Sequence, residues 1–297
     1  MTEKLTTERR NQNTMNLDTM SLHELLALMN HEDQTVPLAI KNALTPIEEA
    51  VGLVVASFES GGRLIYMGAG TSGRLGVLDA SECLPTFSVS PSMVKGLIAG
   101  GERALTRAVE GAEDSEQLGG EDLKNQSVGP ADTIIGIAAS GRTPYVIGGL
   151  KYARSKGAKT VSLSCNTNAA ISRYADIAIE IATGPEVLTG STRLKAGTAQ
   201  KLVLNMISTA SMVRIGKVYG NLMVDVQPSN QKLIARAKRI IMEATGADLE
   251  TAEKQFEKAK HNVKTAIVMT LLQCSYDEAI DRLNRAKGFV RTTLKEE

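Results

Sequence analysis

A short apolar run that leads directly into a glycine-rich loop is the feature of this sequence that most restricts its fold. Residues 64–67 (LIYM) are typical of a buried strand, and residues 68–74 (GAGTSGR) follow at once. Glycine lets the backbone of such a loop approach a bound group closely, and the first amides of a following helix are free to bind an anion. The pattern therefore predicts a strand, a phosphate-type loop and a helix in succession.

The same alternation recurs along the middle of the chain. Further strand-like runs, most of them separated by segments long enough for a helix, occupy residues 93–98, 133–138, 160–164 and 177–181. Strands that alternate with helices predict an α/β fold, a doubly wound parallel sheet with right-handed crossovers. Ligands of such sheets bind beyond the carboxyl ends of the strands, where we expect the loops to meet.

Helical patterns flank the predicted sheet. Apolar residues recur at helical spacing over residues 21–58, with breaks near Thr35 and Pro46, and again from about residue 191 to residue 218. The end of the chain is helical throughout, and Gly246 and Gly288 are placed as helix stops. Its four helical segments are residues 232–244, 249–259, 263–274 and 276–287.

These patterns divide the chain into three parts. We expect an N-terminal helical segment (1–58) that packs on an α/β domain (59–230), followed by a small C-terminal helical bundle (231–297). The sequence shows neither a repeat of solenoid period nor a low-complexity segment. A single sheet domain with helical additions is the organisation that follows.

Composition indicates a globular chain with a small-molecule partner. Of the 297 residues, 42% are hydrophobic, which is enough for a sizeable core. The 34 basic and 33 acidic residues leave no excess charge to recruit nucleic acid or a membrane surface. Three cysteines are too few for a disulfide framework, and the polar first 16 residues are unlike a signal sequence. We therefore expect a cytoplasmic protein.

The glycine spacing of the first loop also matches the fingerprint of a dinucleotide-binding fold. That fold would place an acidic residue at the end of the second strand, where residues 98–101 are IAGG instead. Thr71 and Ser72 supply hydroxyl groups that can supplement backbone donors around a phosphate monoester. We therefore predict phosphate binding by Gly70, Thr71 and Ser72.

A second loop of the same kind follows the third predicted strand. Residues 139–144 (ASGRTP) place Thr143 as a helix N-cap and Pro144 at the first helical position. Ser140 and Thr143 would then either bind a second side of the phosphate or simply cap the helix. The presence of two hydroxyl-rich helix starts favours the phosphate.

The two loops resemble those of the sugar isomerase family known as SIS domains, whose phosphosugar loops have the forms G-x-G-x-S and S-x-S-G-x-T. Residues 68–72 match the first form, and residues 138–143 match the second except that Ala138 replaces its leading serine. The resemblance implies that Ser140, Gly141 and Thr143 contact the phosphate. It also implies one phosphate donor fewer than the family pattern.

Other segments resemble a narrower family, the N-acetylmuramic acid 6-phosphate etherases, over nearly the whole chain. These segments are residues 7–11 (TERRN), 17–18 (LD), 79–87 (DASECLPTF), 110–114 (EGAED) and 184–195 (GPEVLTGSTRLK). The resemblance implies a carbon–oxygen lyase of cell-wall amino-sugar recycling or catabolism that needs no metal or cofactor. Glu82 would be its general acid and Glu113 its general base.

The same resemblance leaves alternatives for individual residues. Glu82 and Glu113 are expected at the ends of the helices after the first and second strands, where a glutamate is ordinarily exposed and inert. Glu186, Ser191 and Lys195 are further candidates for substrate binding, if the loop before a helix that begins near Ser191 approaches the sugar. An ordinary helix cap with solvated charges would explain them equally well.

The resemblance also bears on partners and on rival functions. It implies a homodimer and a C-terminal domain similar to ubiquitin-associated domains, which says nothing about ubiquitin binding. One rival is a phosphosugar isomerase, which uses the same loops to move a proton between C1 and C2. Another is a sugar-phosphate sensor such as the glucokinase regulatory protein, although a sensor needs no acid and base and would require a second sugar-phosphate domain.

Overall fold

The computed structural model divides the chain into two compact units. The first is Met1–Ser81 with Ser92–Ser208, and the second is Glu82–Pro91 with Thr209–Glu297. The structure describes residues 5–107, 109–228 and 230–295 within them. Among these described residues, no helix has both the length and the apolar character that crossing a membrane requires.

The first unit is built on five parallel strands in the order β2-β1-β3-β4-β5. The strands are β1 (Leu64–Gly68), β2 (Val94–Ile98), β3 (Thr133–Ala138), β4 (Lys159–Ser164) and β5 (Ile177–Glu180). All five predicted strands are therefore confirmed, with bounds that shift by one residue at most. Strands β1 and β3 are continuous buried runs, as strands covered on both faces are.

Among the described residues, eight α-helices begin in the first unit. They are α1 (Leu22–Asp33), α2 (Thr35–Lys41), α3 (Leu44–Glu59), α4 (Gly70–Phe87), α5 (Arg103–Thr106), α6 (Glu116–Asn125), α7 (Pro144–Ser155) and α8 (Lys195–Arg214). The three N-terminal helices fit the prediction, but the second break falls at residues 42–43 rather than at Pro46. Pro46 lies in the first turn of α3, where a missing amide proton costs no hydrogen bond.

Glycines allow close backbone contacts around the sheet. A Cβ atom at Gly73 in α4 would lie 2.6 Å from the carbonyl oxygen of Gly68, so only glycine fits where the helix turns back onto β1. A Cβ atom at Gly148 in α7 would lie 1.8 Å from the carbonyl oxygen of Glu116 in α6. The first contact holds the start of α4 close to the end of β1, and the second packs α7 closely against α6.

The second unit contains the helical end of the chain. The α-helices within its described residues are α9 (Gln231–Thr245), α10 (Leu249–Lys258), α11 (Val263–Leu272), α12 (Tyr276–Arg285) and α13 (Val290–Thr293). The four predicted helices are confirmed, and Gly246 ends α9 in the left-handed conformation with φ +73°. Phe256 and Ile267 belong to the apolar core of this bundle.

Candidate functional site

The carboxyl ends of the central strands are level, which brings two loops to one edge of the sheet. Gly68 at the end of β1 pairs with Ile137 of β3 on one side and with Ile98 of β2 on the other. The chain leaves β1 toward β2 and leaves β3 toward β4, so the connections diverge on opposite sides of this pair of strands. Such a switch in strand order opens the crevice in which parallel sheets bind ligands.

The loop after β1 enters α4 through Gly70, whose φ of +52° favours glycine. Thr71 is half-buried and Ser72 is buried in the first turn of the helix, where backbone amides have no helical partner. The hydroxyl of Ser72 donates a hydrogen bond of 2.9 Å to Oε1 of Gln200 in α8. The predicted phosphate loop therefore has the expected shape, and its serine is already engaged with a buried side chain.

The loop after β3 is more open. Ser140 is half-buried, and its Oγ accepts a hydrogen bond of 3.3 Å from the amide of Arg142. Gly141 adopts φ +69°, and a Cβ atom there would lie 2.4 Å from the Cβ of Ala169. Pro144 begins α7 and Thr143 is its N-cap residue, as predicted, but the Thr143 side chain makes no capping hydrogen bond.

Glu113 is exposed and lies beside this second loop. Its Oε1 accepts a hydrogen bond of 3.2 Å from Oγ1 of Thr143, and its carbonyl oxygen accepts one of 3.0 Å from the amide of Tyr145. The prediction that Glu113 ends a helix is wrong, because α5 stops at Thr106 and Arg107 is extended. Glu113 instead lies in a loop, and its backbone and side chain connect that loop to the start of α7.

Glu82 lies in the last two turns of α4, as predicted. It belongs to the second unit and its side chain is exposed. The neighbouring Cys83 is buried. An exposed carboxylate on a regular helix is accessible to substrate and to solvent alike.

Glu186 is a buried helix cap. Its two carboxylate oxygens accept hydrogen bonds of 2.9 Å each from the amides of Lys195 and Ala196, at the start of α8. Burial raises the pKa of Glu186, and the two backbone amides only partly oppose that rise. The cap is therefore not the solvated one considered above, because the side chain has no exposure to solvent.

Lys195 is also buried, and its charge is paired. Its ammonium group lies 2.6 Å from Oε2 of Glu32 in α1, while Oε1 of Glu32 accepts a hydrogen bond of 3.0 Å from Asn13. Burial opposes ionisation of Glu32, but the hydrogen bonds from Asn13 and Lys195 outweigh it and lower its pKa. Ser191 is half-buried in the turn before α8, which begins at Lys195 and not near Ser191.

The N-terminal segment is bound to the loop that follows β4. Oδ1 of Asn166 accepts a hydrogen bond of 2.8 Å from the amide of Thr6, and Nδ2 of Asn166 donates one of 2.9 Å to Oγ1 of Thr7. Nδ2 also donates to the carbonyl oxygen of Ala139 in the loop after β3, at 3.1 Å. The segment therefore reaches the loop cluster at the carboxyl edge of the sheet.

A pocket of about 390 Å³ lies beside the same segment. It is lined by residues of the segments quoted above, including Arg10, Asn11, Leu17, Asp18 and Val187. None of the predicted phosphate donors lines it. The structure therefore brings three of those segments together, at a place distinct from the two phosphate-type loops.

Sequence reasoning missed three side chains that organise these sites: Glu32, Asn166 and Gln200. Each meets its partner across more than a hundred residues, as with the separation of 128 between Ser72 and Gln200. No local spacing indicates such a pair. Gln200 stands out only through its position in a helix that follows the quoted segment 184–195.

Comparison with known proteins identifies the family. The chain is 65% identical over 294 residues to the N-acetylmuramic acid 6-phosphate etherase of Shouchella clausii (strain KSM-K16), and the alignment covers 99% of each chain. It is equally similar to the enzyme of that name from Bacillus cereus (strain AH187), over 99% of this chain and all of that one. This chain belongs to the N-acetylmuramic acid 6-phosphate etherase family. The predicted resemblance to these etherases is confirmed.

Shorter matches to two family models agree with the SIS fold of the family. The SIS domain matches residues 111–210, and the glucokinase regulatory protein N-terminal SIS domain matches residues 46–154. Among solved structures, a phosphoheptose isomerase from Francisella tularensis is 14% identical with a TM-score of 0.49, over 65% of this chain and 99% of that one.

Proposed function

We propose that the chain cleaves the D-lactyl ether of N-acetylmuramic acid 6-phosphate, giving N-acetylglucosamine 6-phosphate and D-lactate. The observation that carries this proposal is the 65% identity to etherases over 99% of the chain. The two hydroxyl-rich loops at one edge of the sheet support it, because the substrate class they suit is a sugar phosphate.

The phosphate is proposed to bind in the crevice between the loops after β1 and β3. Thr71, Ser72 and Ser140 offer hydroxyl donors, and the first amides of α4 add the positive end of a helix dipole. Glycine at positions 70 and 141 lets the backbone approach the oxygens. This arrangement would fix the sugar by its sixth carbon and leave its first three carbons for the chemistry.

Glu113 is proposed as the general base. In the open-chain sugar the C1 aldehyde acidifies the C2 proton, so an ionised carboxylate that removes it produces an enolate-like intermediate. The hydrogen bond from Thr143 supports this role, since it orients the Glu113 carboxylate from the same loop that is proposed to bind phosphate. Substrate binding and base orientation would then depend on adjacent side chains.

Glu82 is proposed as the general acid. The C3–O bond breaks as a C2=C3 double bond forms, and the departing lactate oxygen takes a proton from the protonated carboxyl group. Water then adds across the double bond, which places a hydroxyl group on C3 and a proton on C2. The assignment of this role to Glu82 rests on the family resemblance of residues 79–87.

Two further properties belong to the proposal. We expect a homodimer, as the resemblance to SIS domains implies, and a cytoplasmic location, as the cysteine content favours. Sedimentation velocity measures the first, and fractionation of cells that produce the protein tests the second. A monomer at micromolar concentration or a protein found outside the cytoplasmic fraction would contradict the respective expectation.

Release of D-lactate from N-acetylmuramic acid 6-phosphate tests the reaction, and isotope exchange at C2 in deuterated water tests the base. Glu113→Gln should abolish both, with a turnover loss on the order of 10²–10⁴-fold. Asp114→Asn is the matched control, because its side chain is an exposed carboxylate in the same loop. If Glu113→Gln still exchanges the C2 proton at the wild-type rate, another residue is the base.

Glu82→Gln separates the acid from the base. We expect it to reduce lactate release more severely than C2 exchange, because the enolate-like intermediate can still form while its leaving group is no longer protonated. Equal loss of exchange and release would contradict the assignment. Wild-type protein that moves the C2 proton without eliminating lactate would be an isomerase, and protein that does neither while binding the sugar phosphate would be a sensor.

A further inference from the structure

Gln200 is a buried carboxamide, and one of its two polar atoms has no hydrogen-bond partner among the described residues. Its side chain has 1% exposure, and its Oε1 accepts the hydrogen bond from the hydroxyl of Ser72. Its Nε2 has no hydrogen-bond partner among the described residues. A buried amide group without an acceptor is destabilising, so its retention beside a ligand loop points to a use for it.

The first turn of α4 and the start of α8 are in contact around this side chain. Gly197 and Gln200 are three residues apart and share one face of α8. A Cβ atom at Gly197 would lie at the ordinary distance of 3.5 Å from Cγ2 of Thr71. Gln200 therefore lies directly behind the proposed phosphate loop.

The present hydrogen bond conflicts with the role proposed for Ser72. The hydroxyl group has a single proton, and that proton is donated to Gln200, so it is not available to a phosphate oxygen. Moving the proton to the phosphate without any other change would leave Oε1 of Gln200 buried with no donor. Rotation of the carboxamide by half a turn exchanges Oε1 and Nε2 without changing the volume of the side chain. Nε2 can then donate to the Ser72 oxygen, while Oε1 takes the place of the atom that now lacks a partner, so one carboxamide atom rather than two is unpartnered.

We propose that Gln200 is a positioning residue that presents the Ser72 hydroxyl to the substrate phosphate. When phosphate binds, Nε2 of Gln200 donates to Oγ of Ser72, and Ser72 donates its proton to a phosphate oxygen. The number of hydrogen bonds in the chain rises from one to two, and the second has a charged acceptor. This inference rests on the proposed function, since it requires that Ser72 bind the phosphate.

The test measures the dissociation constant for N-acetylglucosamine 6-phosphate in Ser72→Ala, Gln200→Met, Gln200→Glu and the Ser72→Ala/Gln200→Met double variant. Methionine has a similar length but no hydrogen-bonding amide, whereas glutamate keeps the shape and can only accept. Thr198→Ala, at an exposed position of the same helix, is the matched control. Thermal unfolding of each variant shows whether it folds.

The expected affinity losses differ between the variants. Ser72→Ala should weaken binding by about 10- to 100-fold, and Gln200→Met by about 2- to 10-fold, as for charged and neutral hydrogen bonds. Gln200→Glu should weaken binding more than Gln200→Met, because it retains the serine proton and adds a negative charge behind the phosphate. The double variant should bind as Ser72→Ala does. KM should rise with kcat little changed, since the phosphate is remote from the bonds that break.

The outcomes separate this inference from the proposed function. If Ser72→Ala weakens binding but the Gln200 variants bind like wild type, or their effects add to that of Ser72→Ala, Gln200 does not act through Ser72 and the inference is wrong. If Ser72→Ala itself binds sugar 6-phosphates like wild type, the phosphate does not contact this loop and both fail. Equal losses in Gln200→Met and Gln200→Glu that follow their losses of thermal stability would show a structural role alone.

Discussion

Helix α8 carries two buried polar clusters less than two turns apart, and they differ in whether their polar atoms all have hydrogen-bond partners. The charged cluster at its first residue is satisfied: Lys195 pairs with Glu32, and Glu186 accepts two backbone amides. The neutral cluster at Gln200 has a donor left over. A complete network fixes a structure, whereas an incomplete one leaves a group available to a ligand. On this comparison we propose that the first cluster contributes stability and the second contributes to substrate binding.

The largest effect is expected from a matched pair of substitutions to methionine. Lys195→Met should lower the free energy of unfolding by about 3–5 kcal/mol, because it leaves the buried Glu32 carboxylate unpaired. Gln200→Met should change it by less than about 1 kcal/mol, because removal of the unpartnered donor offsets the hydrogen bond that the Ser72 hydroxyl loses. Urea denaturation at neutral pH measures both values.

The comparison of the two clusters is wrong if Gln200→Met loses stability and Lys195→Met does not. A fully stable Lys195→Met protein with a weakened affinity for sugar 6-phosphate would restore the prediction that Lys195 binds substrate. The double variant Glu32→Leu/Lys195→Met serves as the control, since replacing both members of a buried ion pair is often close to neutral. It should recover most of the lost stability.

A second, smaller effect distinguishes the two carboxylates by pH. The pKa of Glu32 is lowered in the folded protein, so the stability it contributes is present at neutral pH and is lost as the pH falls through that pKa. The pKa of Glu186 is raised, so the folded protein gains stability from its protonation as the pH falls.

Denaturation of Glu32→Gln and Glu186→Gln between about pH 7 and pH 3 measures this difference, since ordinary carboxyl groups titrate near pH 4. The free energy of unfolding of wild-type protein should exceed that of Glu32→Gln at neutral pH, and this difference should shrink in acid. Relative to Glu186→Gln, wild-type protein should become more stable in acid than at neutral pH. Parallel curves for the two variants would contradict the opposite surroundings of the two side chains.

The smallest effect is expected further along α8. Asp79 in α4 is buried and accepts hydrogen bonds from Tyr66, Asn205 and Ser208, so loss of one donor leaves the carboxylate bound by the others. Ser208→Ala should therefore lower the free energy of unfolding by only about 1 kcal/mol. Its affinity for sugar 6-phosphate should match that of wild type, as measured by calorimetry. A weakened affinity would extend the functional cluster from Gln200 toward Asp79.

Local chemistry made much of the fold predictable. The continuous buried runs of β1 and β3, together with the alternation of strand-like and helix-length segments, predict all five strands, and Pro144 after Thr143 marks the start of α7. The first and last residues of a helix are harder to predict where helix-forming residues continue beyond the helix. Ser191 lies in such a stretch and was expected to begin α8.

The site was predictable only in part, because its loops are local but its supports are not. The two loops were recognised from residues within a few positions of one another, and the structure confirms that they share an edge of the sheet. The loop position of Glu113 was not predicted. Helix α5 ends at Thr106, and no proline follows it before Ser115 to mark that end in the sequence. The roles of the site residues and the division into three parts remain predictions.

The hydrogen bonds between the N-terminal segment and residues far along the chain can form only after those residues have been synthesised. Thr6 binds a residue 160 positions later, and Glu32 binds one 163 positions later. A ribosome adds about 5–20 residues per second, so the first segment made waits roughly ten to thirty seconds for its partners. Until Lys195 has been made, the Glu32 carboxylate lacks the ammonium partner that it has in the folded chain. These contacts of the N-terminal segment therefore form only after more than half of the 297 residues have been translated.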